Sequence, residues 1–285
     1  MTKHIIVGTD GTESGTAAVC WAAREAQRRG MPLRIVYAYD WDWHESRLDI
    51  GNEYIDVARQ LADAVVAYAY DQAREAAPNA NISTDTIVGH AVPRLLEVSR
   101  GAELLVLGSR GRGGFTGLLL GSVSQRMATH APCPVVVVRG RAVPEGPVVA
   151  GVDDTPAAEQ VLVAAFEAAA DRDRPLTVVH SHLAPVPFWL TDIPPAAPIT
   201  HPDQDAAELD RLEERLTPLR GKYPGVPVTP VLTHDSAASV LVDASRTAQL
   251  VVVGGGHSGT VTGTLLGSTV TQLLHHADCP VLVAR

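Results

Sequence analysis

The sequence predicts an α/β fold with two tandem, doubly wound, five-stranded parallel sheets of strand order 3-2-1-4-5 and helices on both faces. Three observations predict it. Short apolar runs alternate with amphipathic helical stretches, this alternation occurs twice, and each apolar run is far shorter than the roughly 20 residues of a membrane span. Strands that alternate with helices form parallel pairs, because each crossover helix returns the chain to the same end of the sheet.

Each element of the first half has a recognisable pattern. The strands are continuous apolar runs, and the helices combine polar starts with apolar residues at helical spacing. The expected elements are strands at 4–9, 33–39, 82–88, 103–108 and 134–139, and helices at 12–30, 53–77, 92–101 and 122–131.

The second half of the chain repeats the first. Residues 108–139 and 254–285 align without gaps and are identical at 15 of 32 positions, whereas unrelated segments would share about two. We therefore expect one domain over residues 1–142 and a second over residues 143–285, joined by a short linker rich in Gly and Pro.

A proline-rich insertion distinguishes the second half. It covers residues 184–202, between a strand expected at 176–182 and a helix expected to start near Asp205. Proline removes a backbone donor, so regular structure is not expected there. The insertion is either a lid or interface loop or a plain surface insertion, and the sequence leaves both open.

Composition and charge restrict the possible functions. The chain has 23 Lys and Arg against 32 Asp and Glu, a net charge of −9, which argues against nucleic acid as a general partner because phosphates attract basic surfaces. The three cysteines form no Cys-x-x-Cys pair, and this suits a reducing compartment. We expect a cytoplasmic protein with no signal peptide and no membrane partner.

A loop rich in glycine and arginine follows the fourth strand. Residues 108–122 contain six glycines and two arginines. Doubly wound sheets bind ligands beyond the carboxyl ends of the strands, where the strand order reverses, and here that point lies between strands one and four. Asp10 ends strand one and Gly108 ends strand four, so the loop opens at the expected crevice.

The spacing in this loop is Gly108-x2-Gly111-x9-Gly121-Ser122. It matches neither a Walker A loop nor the dinucleotide fingerprint. Glycines let backbone N–H groups approach a ligand, and the helix that begins at Gly121-Ser122, with Ser122 as a possible cap, offers its positive end to an anion. The pattern favours a phosphate or nucleotide site; the alternative is a flexible loop that merely starts a helix.

This pattern, an Asp that closes the first strand, and the ending at 131–139 resemble the universal stress protein family of the ATP-binding type. The resemblance covers nearly the whole chain, once in each half. It implies a Rossmann-like fold and ATP with Mg²⁺ across the carboxyl edge of each sheet. It also implies pairing through the fifth strands, in a homodimer or as a pseudo-dimer within the chain, and a protein partner that the sequence does not identify.

The resemblance also implies the residues that contact the nucleotide. Asp10 would bond the nucleoside end, and the backbone of Ala38 would contact adenine. The expected residues of the first half are Thr9, Asp10, Ala38, Gly108, Arg110, Gly111, Gly121, Ser122 and Val123, and those of the second half are Asp153, Ser181, Gly254, Gly267 and Ser268. In the second half His257 stands where Gly111 stands in the first, and both loop arginines are lost, so nucleotide binding there stays open.

Two further groups of residues have candidate roles. His180 and His182 are two apart on a strand, face the same side, and are possible metal ligands. We find no third ligand at suitable spacing and expect no metal, with packing or adenine contact as the favoured role. Trp41 or Trp43 stacks on a base or belongs to an exposed loop or interface.

The sequence shows neither an activated nucleophile nor a placed acid–base pair, so we do not expect an enzyme. The resemblance implies a nucleotide-dependent regulator or sensor in stress adaptation and growth arrest, with little or no turnover. Two alternatives remain: a weak ATPase or autophosphorylating protein, and a dimerising scaffold in which the nucleotide is structural.

Overall fold

The first half folds close to the sequence expectation. The computed structural model describes residues 3–39, 53–111, 119–182, 202–255 and 266–285. The elements of the first half are β1 (Ile5–Gly8), α1 (Glu13–Arg29), β2 (Leu33–Tyr39), α2 (Glu53–Ala76), β3 (Ile82–Val88), α3 (Ala91–Val98), β4 (Leu104–Gly108), α4 (Ser122–His130) and β5 (Val135–Val138). Continuous apolar runs become strands because both faces of this sheet are covered by helices.

The second half repeats the same order of elements. They are β6 (Val148–Val152), α5 (Ala157–Arg172), β7 (Leu176–Ser181), α6 (Pro202–Lys222), β8 (Val228–Thr233), α7 (Ala237–Ala244), β9 (Leu250–Gly254), α8 (Ser268–His276) and β10 (Val281–Ala284). None of the helices in the described ranges is both long enough and apolar enough to cross a membrane.

The strands form one continuous sheet of ten, in the order β3-β2-β1-β4-β5-β10-β9-β6-β7-β8. Each half keeps the predicted order 3-2-1-4-5 and is parallel throughout. The two five-stranded sheets expected from the sequence join edge to edge, because β5 and β10 pair antiparallel, with Val137 opposite Val281 and Val135 opposite Val283.

This pairing uses the free edge of each fifth strand. β5 lies between β4 and β10, and β10 lies between β5 and β9, so each has a neighbour on both sides. The contact that the resemblance implied through the fifth strands therefore occurs within one chain. In this arrangement neither strand has a free edge for the alternative, a homodimer through the same strands.

Two hydrophobic cores cover the two faces of the sheet, and both extend through both halves. One packs α1, α2, α5 and α6 against the sheet and includes the fully buried Phe166 and Leu162. The other packs α3, α4, α7 and α8 on the opposite face and includes Met127 and Leu273. Burying both faces of all the central strands fixes the ends of β1 and β4, and of β6 and β9, side by side.

A buried charge cluster joins α1 to α5 across the two halves. Glu25 of α1 is fully buried and pairs with Arg29 of its own helix at 2.6 Å and with Arg172 of α5 at 2.7 Å, and it also contacts Arg28. Burial alone would raise the pKa of Glu25, but the three guanidinium groups more than reverse this and lower it below its ordinary value. The carboxylate is therefore charged at neutral pH and links the halves.

Two equivalent arginines also connect the halves. Arg139, just after β5, donates to the carbonyl of Leu273 in α8 at 2.9 Å, and Arg285, after β10, donates to the carbonyl of Ala128 in α4. Each arginine thus reaches the C-terminal half of a helix in the other domain, where carbonyl dipoles favour a cation. Burial lowers the pKa of both guanidinium groups from their ordinary values.

Candidate functional site

A crevice of about 320 Å³ opens at the carboxyl ends of β1 and β4, where the strand order reverses. We call it the first crevice. All nine residues expected for the first half line it: Thr9, Asp10, Ala38, Gly108, Arg110, Gly111, Gly121, Ser122 and Val123. Its volume lies in the range of small-molecule sites, which begins at about 300 Å³.

Asp10 is held in a fixed position by the turn that starts α1. Its Oδ1 accepts hydrogen bonds from the backbone N–H of Thr12 at 3.1 Å and from the Thr12 hydroxyl at 2.6 Å. The same hydroxyl accepts from the N–H of Gly15 at 3.2 Å and so caps α1. The turn orients the Asp10 carboxylate, whose Oδ2 faces the loop after β4.

Glycines allow the chain to pack closely around this carboxylate. A Cβ at Gly111 would lie 2.9 Å from Asp10 Oδ2, and a Cβ at Gly15 would lie 2.9 Å from Asp10 Oδ1. At Gly108 a Cβ would lie 2.5 Å from the backbone oxygen of Ser14. The loop after β4 therefore lies against the start of α1, and the N–H of Arg110 donates to the Ser14 hydroxyl at 3.1 Å.

The N-terminus of α4 faces the same crevice. The predicted capping role of Ser122 is wrong: Gly121 occupies the cap position, and no side chain caps the helix. The first helical hydrogen bond runs from the N–H of Gln125 to the carbonyl of Gly121 at 3.0 Å. The N–H groups of Ser122, Val123 and Ser124 therefore have no acceptor within the helix, and they favour an anion at this end.

The opposite side of the first crevice is apolar. It is formed by Val36, Ala38, Ala91, Leu95 and Leu107. Sequence reasoning missed the two α3 residues in this set, Ala91 and Leu95. The strongly amphipathic pattern of α3 was the signal for them, since its buried face has to cover the sheet beside β1 and β2.

The second half has a corresponding crevice of about 290 Å³, which we call the second crevice. Four of its five expected residues line it: Asp153, Gly254, Gly267 and Ser268. Asp153 repeats the Asp10 turn, with Oδ1 accepting from the N–H of Thr155 at 3.0 Å and from its hydroxyl at 2.6 Å. Gly267 likewise occupies the uncapped N-cap position of α8.

The fifth expected residue, Ser181, lies elsewhere. It does not line the second crevice, and its hydroxyl donates to the carbonyl of Asp235 at 2.8 Å. Its counterpart Ala38 does line the first crevice. The two halves therefore differ at the position expected to contact a base.

The second crevice has lost hydroxyls that the first one carries. Counting along the repeat, Val152 replaces Thr9, Ala157 replaces Ser14, and Val270 replaces Ser124. In the first half these three hydroxyls accept from or donate to backbone of the turn and loop, as with Ser124 Oγ, which donates to the carbonyl of Gly108 at 2.6 Å. The second crevice keeps the aspartate and the helix end but lacks these three hydroxyls, and it carries a hydroxyl at Thr269 where the first half has Val123.

Four residues singled out from the sequence lie outside the described residues. These are Trp41, Trp43, Arg112 and His257. The proline-rich insertion also falls there, except for its last residue, Pro202, which begins α6.

The fold supplies the third ligand that sequence reasoning did not find beside His180 and His182. Glu208 of α6 offers a carboxylate oxygen within 4.8 Å of ring nitrogens of both histidines. Sequence spacing gives no signal for this contact, because it depends on how α6 packs across β7. Glu208 is thus a candidate third ligand that spacing along the chain does not reveal.

Comparison with known proteins agrees with this architecture. The profile of the universal stress protein family matches residues 1–139 and again residues 146–285. Two universal stress proteins of Mycobacterium tuberculosis are 35% and 36% identical, in alignments covering 99% of this chain and 96% of each relative. A solved universal stress protein from Archaeoglobus fulgidus, 17% identical, covers 100% of this chain and 99% of its own with a TM-score of 0.75, and so shares the fold. The chain belongs to the universal stress protein family.

Proposed function

We propose that the first crevice binds ATP, with Mg²⁺ on its phosphates, and that the chain acts as a nucleotide-dependent regulator in stress adaptation. One observation carries this: a fixed carboxylate, an apolar wall and an uncapped helix N-terminus line a single crevice. The wall suits a base, the carboxylate suits a ribose hydroxyl or base N–H, and the helix end suits phosphate.

The close packing of glycines supports a nucleotide rather than a small anion. A Cβ at Gly111 or Gly15 would lie 2.9 Å from an Asp10 oxygen, so glycine at both positions lets the carboxylate keep its place in the crevice. Ala38, Ala91 and Leu95 add apolar surface to the same crevice, and a ligand with an anionic end and an apolar end needs both kinds of lining.

We propose that turnover is negligible. Catalysis requires an activated nucleophile or an acid–base pair in reach of the reacting atom. The described lining of the first crevice contains no His, Lys or Cys, and the Asp10 carboxylate already accepts two hydrogen bonds from Thr12. This supports nucleotide binding, rather than catalysis, as the function, with the bound nucleotide as the regulatory signal.

We propose that the second crevice binds nucleotide weakly or not at all under the same conditions. It lacks the hydroxyls of Thr9, Ser14 and Ser124, and Ser181 points to Asp235 rather than into it. A tandem chain with one strong site would then carry one nucleotide.

The test is to purify the full chain without added nucleotide, denature it, and quantify the nucleotide released per chain. We expect about one ATP per chain, and Gly111→Ala should reduce this at least tenfold because its Cβ would displace the Asp10 carboxylate. Gly221→Ala is the matched control, since a Cβ there meets nothing within 4 Å.

Two results would contradict the proposal. The first is the absence of nucleotide combined with no ATP-induced rise in melting temperature, since a ligand of the native state must stabilise it. The second is multiple-turnover phosphate release that Asp10→Ala abolishes, which would make the chain an ATPase.

A further inference from the structure

A third cavity, of about 490 Å³, opens beside the end of β7. Of the described residues that line it, Thr155 alone also lines the second crevice. Its charged lining residues are Asp154, Glu159, Glu208, Glu214, Arg211 and Arg215. Four carboxylates face two guanidinium groups, so the local charge favours a cation.

His180 and Glu208 line this cavity, and both lie close to His182. Each offers one ligand atom, and the three atoms lie within 4.8 Å of one another. Ligand atoms of a tetrahedral zinc ion, each 2.0–2.1 Å from the metal, lie about 3.3 Å apart. Movements of about 1 Å by partly exposed side chains, which His182 and Glu208 are, would complete such a set.

The His180 ring is buried without a hydrogen bond of ordinary length in the described structure. The residue is 3% exposed, and its Nδ1 has no hydrogen-bond partner among the described residues. Its Nε2 lies 3.8 Å from Oδ1 of Asp154, which is beyond hydrogen-bonding distance. A buried imidazole nitrogen without a partner is unfavourable, and a metal ion would satisfy it.

The contacts of Glu208 are compatible with ligation. Arg211 contacts its Oε1, and a carboxylate has a second oxygen that can bind a metal. Asp154, whose Oδ1 lies 3.8 Å from Nε2 of His180, adds negative charge beside the ring.

In the first half, the positions equivalent to His180 and His182 are occupied by residues that pack in an apolar cluster. Leu33 and Leu176 open the equivalent strands β2 and β7, so Tyr37 and Tyr39 correspond to His180 and His182. The tyrosines stack with ring centroids 6.1 Å apart and belong to an apolar cluster.

The third position changes as well. The turns that follow α2 and α6 give a common reference point for aligning the two helices. In the first turn the N–H of Ala80 donates to the carbonyl of Ala77, and in the second the N–H of Val226 donates to the carbonyl of Tyr223. Ala62 and Glu208 lie the same number of residues before these turns, so the two positions correspond. Ala62 is 1% exposed and packs in the tyrosine cluster. All three positions of an apolar cluster have thus become metal-ligating residues in the second half.

We propose that His180, His182 and Glu208 bind a divalent transition-metal ion of the zinc class. Two imidazoles and one carboxylate leave a coordination position that the neighbouring cavity can fill with water or a small anion. None of the three proposed ligands lines the first or the second crevice, and the proposal does not depend on nucleotide binding.

The test is calorimetric titration of Zn²⁺ into the full chain after dialysis against a chelator, with Co²⁺ absorption as a second readout. We expect one equivalent of Zn²⁺ to bind, and Glu208→Gln to weaken binding at least tenfold. The triple variant His180→Tyr, His182→Tyr and Glu208→Ala, which restores the residues of the first half, should lose the site and the visible spectrum of low-coordinate Co²⁺.

The matched control is His275→Ala with His276→Ala, a histidine pair at the end of α8. Its Zn²⁺ affinity should stay within about twofold of the parent chain. Equal binding by the parent and Glu208→Gln, or binding that the control pair accounts for, would overturn the proposal. Glu208→Gln preserves the shape of the side chain, so its result holds even if the triple variant does not fold.

Discussion

The first and second crevices have the same architecture but a different chemistry. Both have an aspartate fixed by the threonine two residues later and an uncapped helix end, because those features depend on turn geometry that the repeat preserves. The hydroxyls around them, at Thr9, Ser14 and Ser124, are present in one half alone. The comparison indicates that the turn and helix end of a site can survive duplication while the hydroxyls that support them change.

The largest expected effect is on the free energy of unfolding, and it comes from the buried ion pair between Glu25 of α1 and Arg172 of α5. Glu25→Gln removes the charge facing Arg172 and leaves that guanidinium buried, so we expect a loss of about 3–5 kcal/mol in the free energy of unfolding. The Glu25 position is asymmetric, since Ala168 is its counterpart in the second half. Urea unfolding measures the loss.

This loss should depend on pH in a defined direction. The folded pKa of Glu25 is below its ordinary value of 4.5, because the arginines outweigh its burial, so the charged form contributes stability above that ordinary value. The difference from Glu25→Gln should therefore shrink as pH falls through the folded pKa. The control Glu97→Gln, whose pair with Arg94 is exposed, should change stability by less than about 1 kcal/mol, and an equal loss there would contradict the explanation.

The next effect compares Gly108→Ala with Gly254→Ala. A Cβ at 108 would lie 2.5 Å from the backbone oxygen of Ser14, whereas at 254 its nearest neighbour is a Val161 methyl at 3.3 Å. We expect the first change to cost about 1–3 kcal/mol and most of the bound nucleotide, and the second to cost little of either. Nucleotide released on denaturation and urea unfolding measure both. Equal nucleotide loss in the two variants would show that both crevices bind.

A smaller effect should come from restoring polar groups to the second crevice. Val152→Thr with Ala157→Ser reintroduces the hydroxyls of Thr9 and Ser14. Each restored hydrogen bond is worth about 0.5–1.5 kcal/mol, so two of them are worth at least about 1 kcal/mol, and we expect at least about fivefold tighter ATP binding at the second crevice. Titration of ATP into this variant, with the first crevice disabled by Gly111→Ala, measures the gain. Unchanged affinity would place the difference in the loop after β9 instead.

The smallest expected difference is between two equivalent cysteines. Burial raises the pKa of Cys133 to about 11 and that of Cys279 to about 12, so both are thiols at neutral pH. At pH 8 we expect a thiol reagent to modify the partly exposed Cys20 well before either, and Cys133, which is 5% exposed, before Cys279, which is fully buried. Mass spectrometry after timed labelling measures the order, and modification of Cys279 first would contradict it.

The sequence predicted the fold and most of the first crevice because local signals determine them. Apolar runs set the strands, and Asp10 and the glycines of the loop after β4 follow directly on strand ends, so their place at the sheet edge is fixed by topology. The strand order within each half was likewise predicted correctly.

The errors arise where tertiary packing decides. Helix α4 is capped at Gly121 rather than Ser122, a difference of one residue in where the helix begins. The hydrogen bond from Ser181 to the carbonyl of Asp235 depends on the loop that follows β8. Glu208 meets His180 only through the packing of α6 on β7. Neither the helix phase nor this packing has a signature in the spacing of residues along the chain.

Because β5 and β10 pair within one chain, the association of the two halves does not depend on protein concentration. Partners joined by a short linker meet at an effective concentration of about millimolar, far above that of most free proteins in a cell. Dilution or low expression therefore leaves the two halves paired, and their ratio is always one to one. This pairing needs only the residues along β5 and β10, so the rest of either half can change without separating the two.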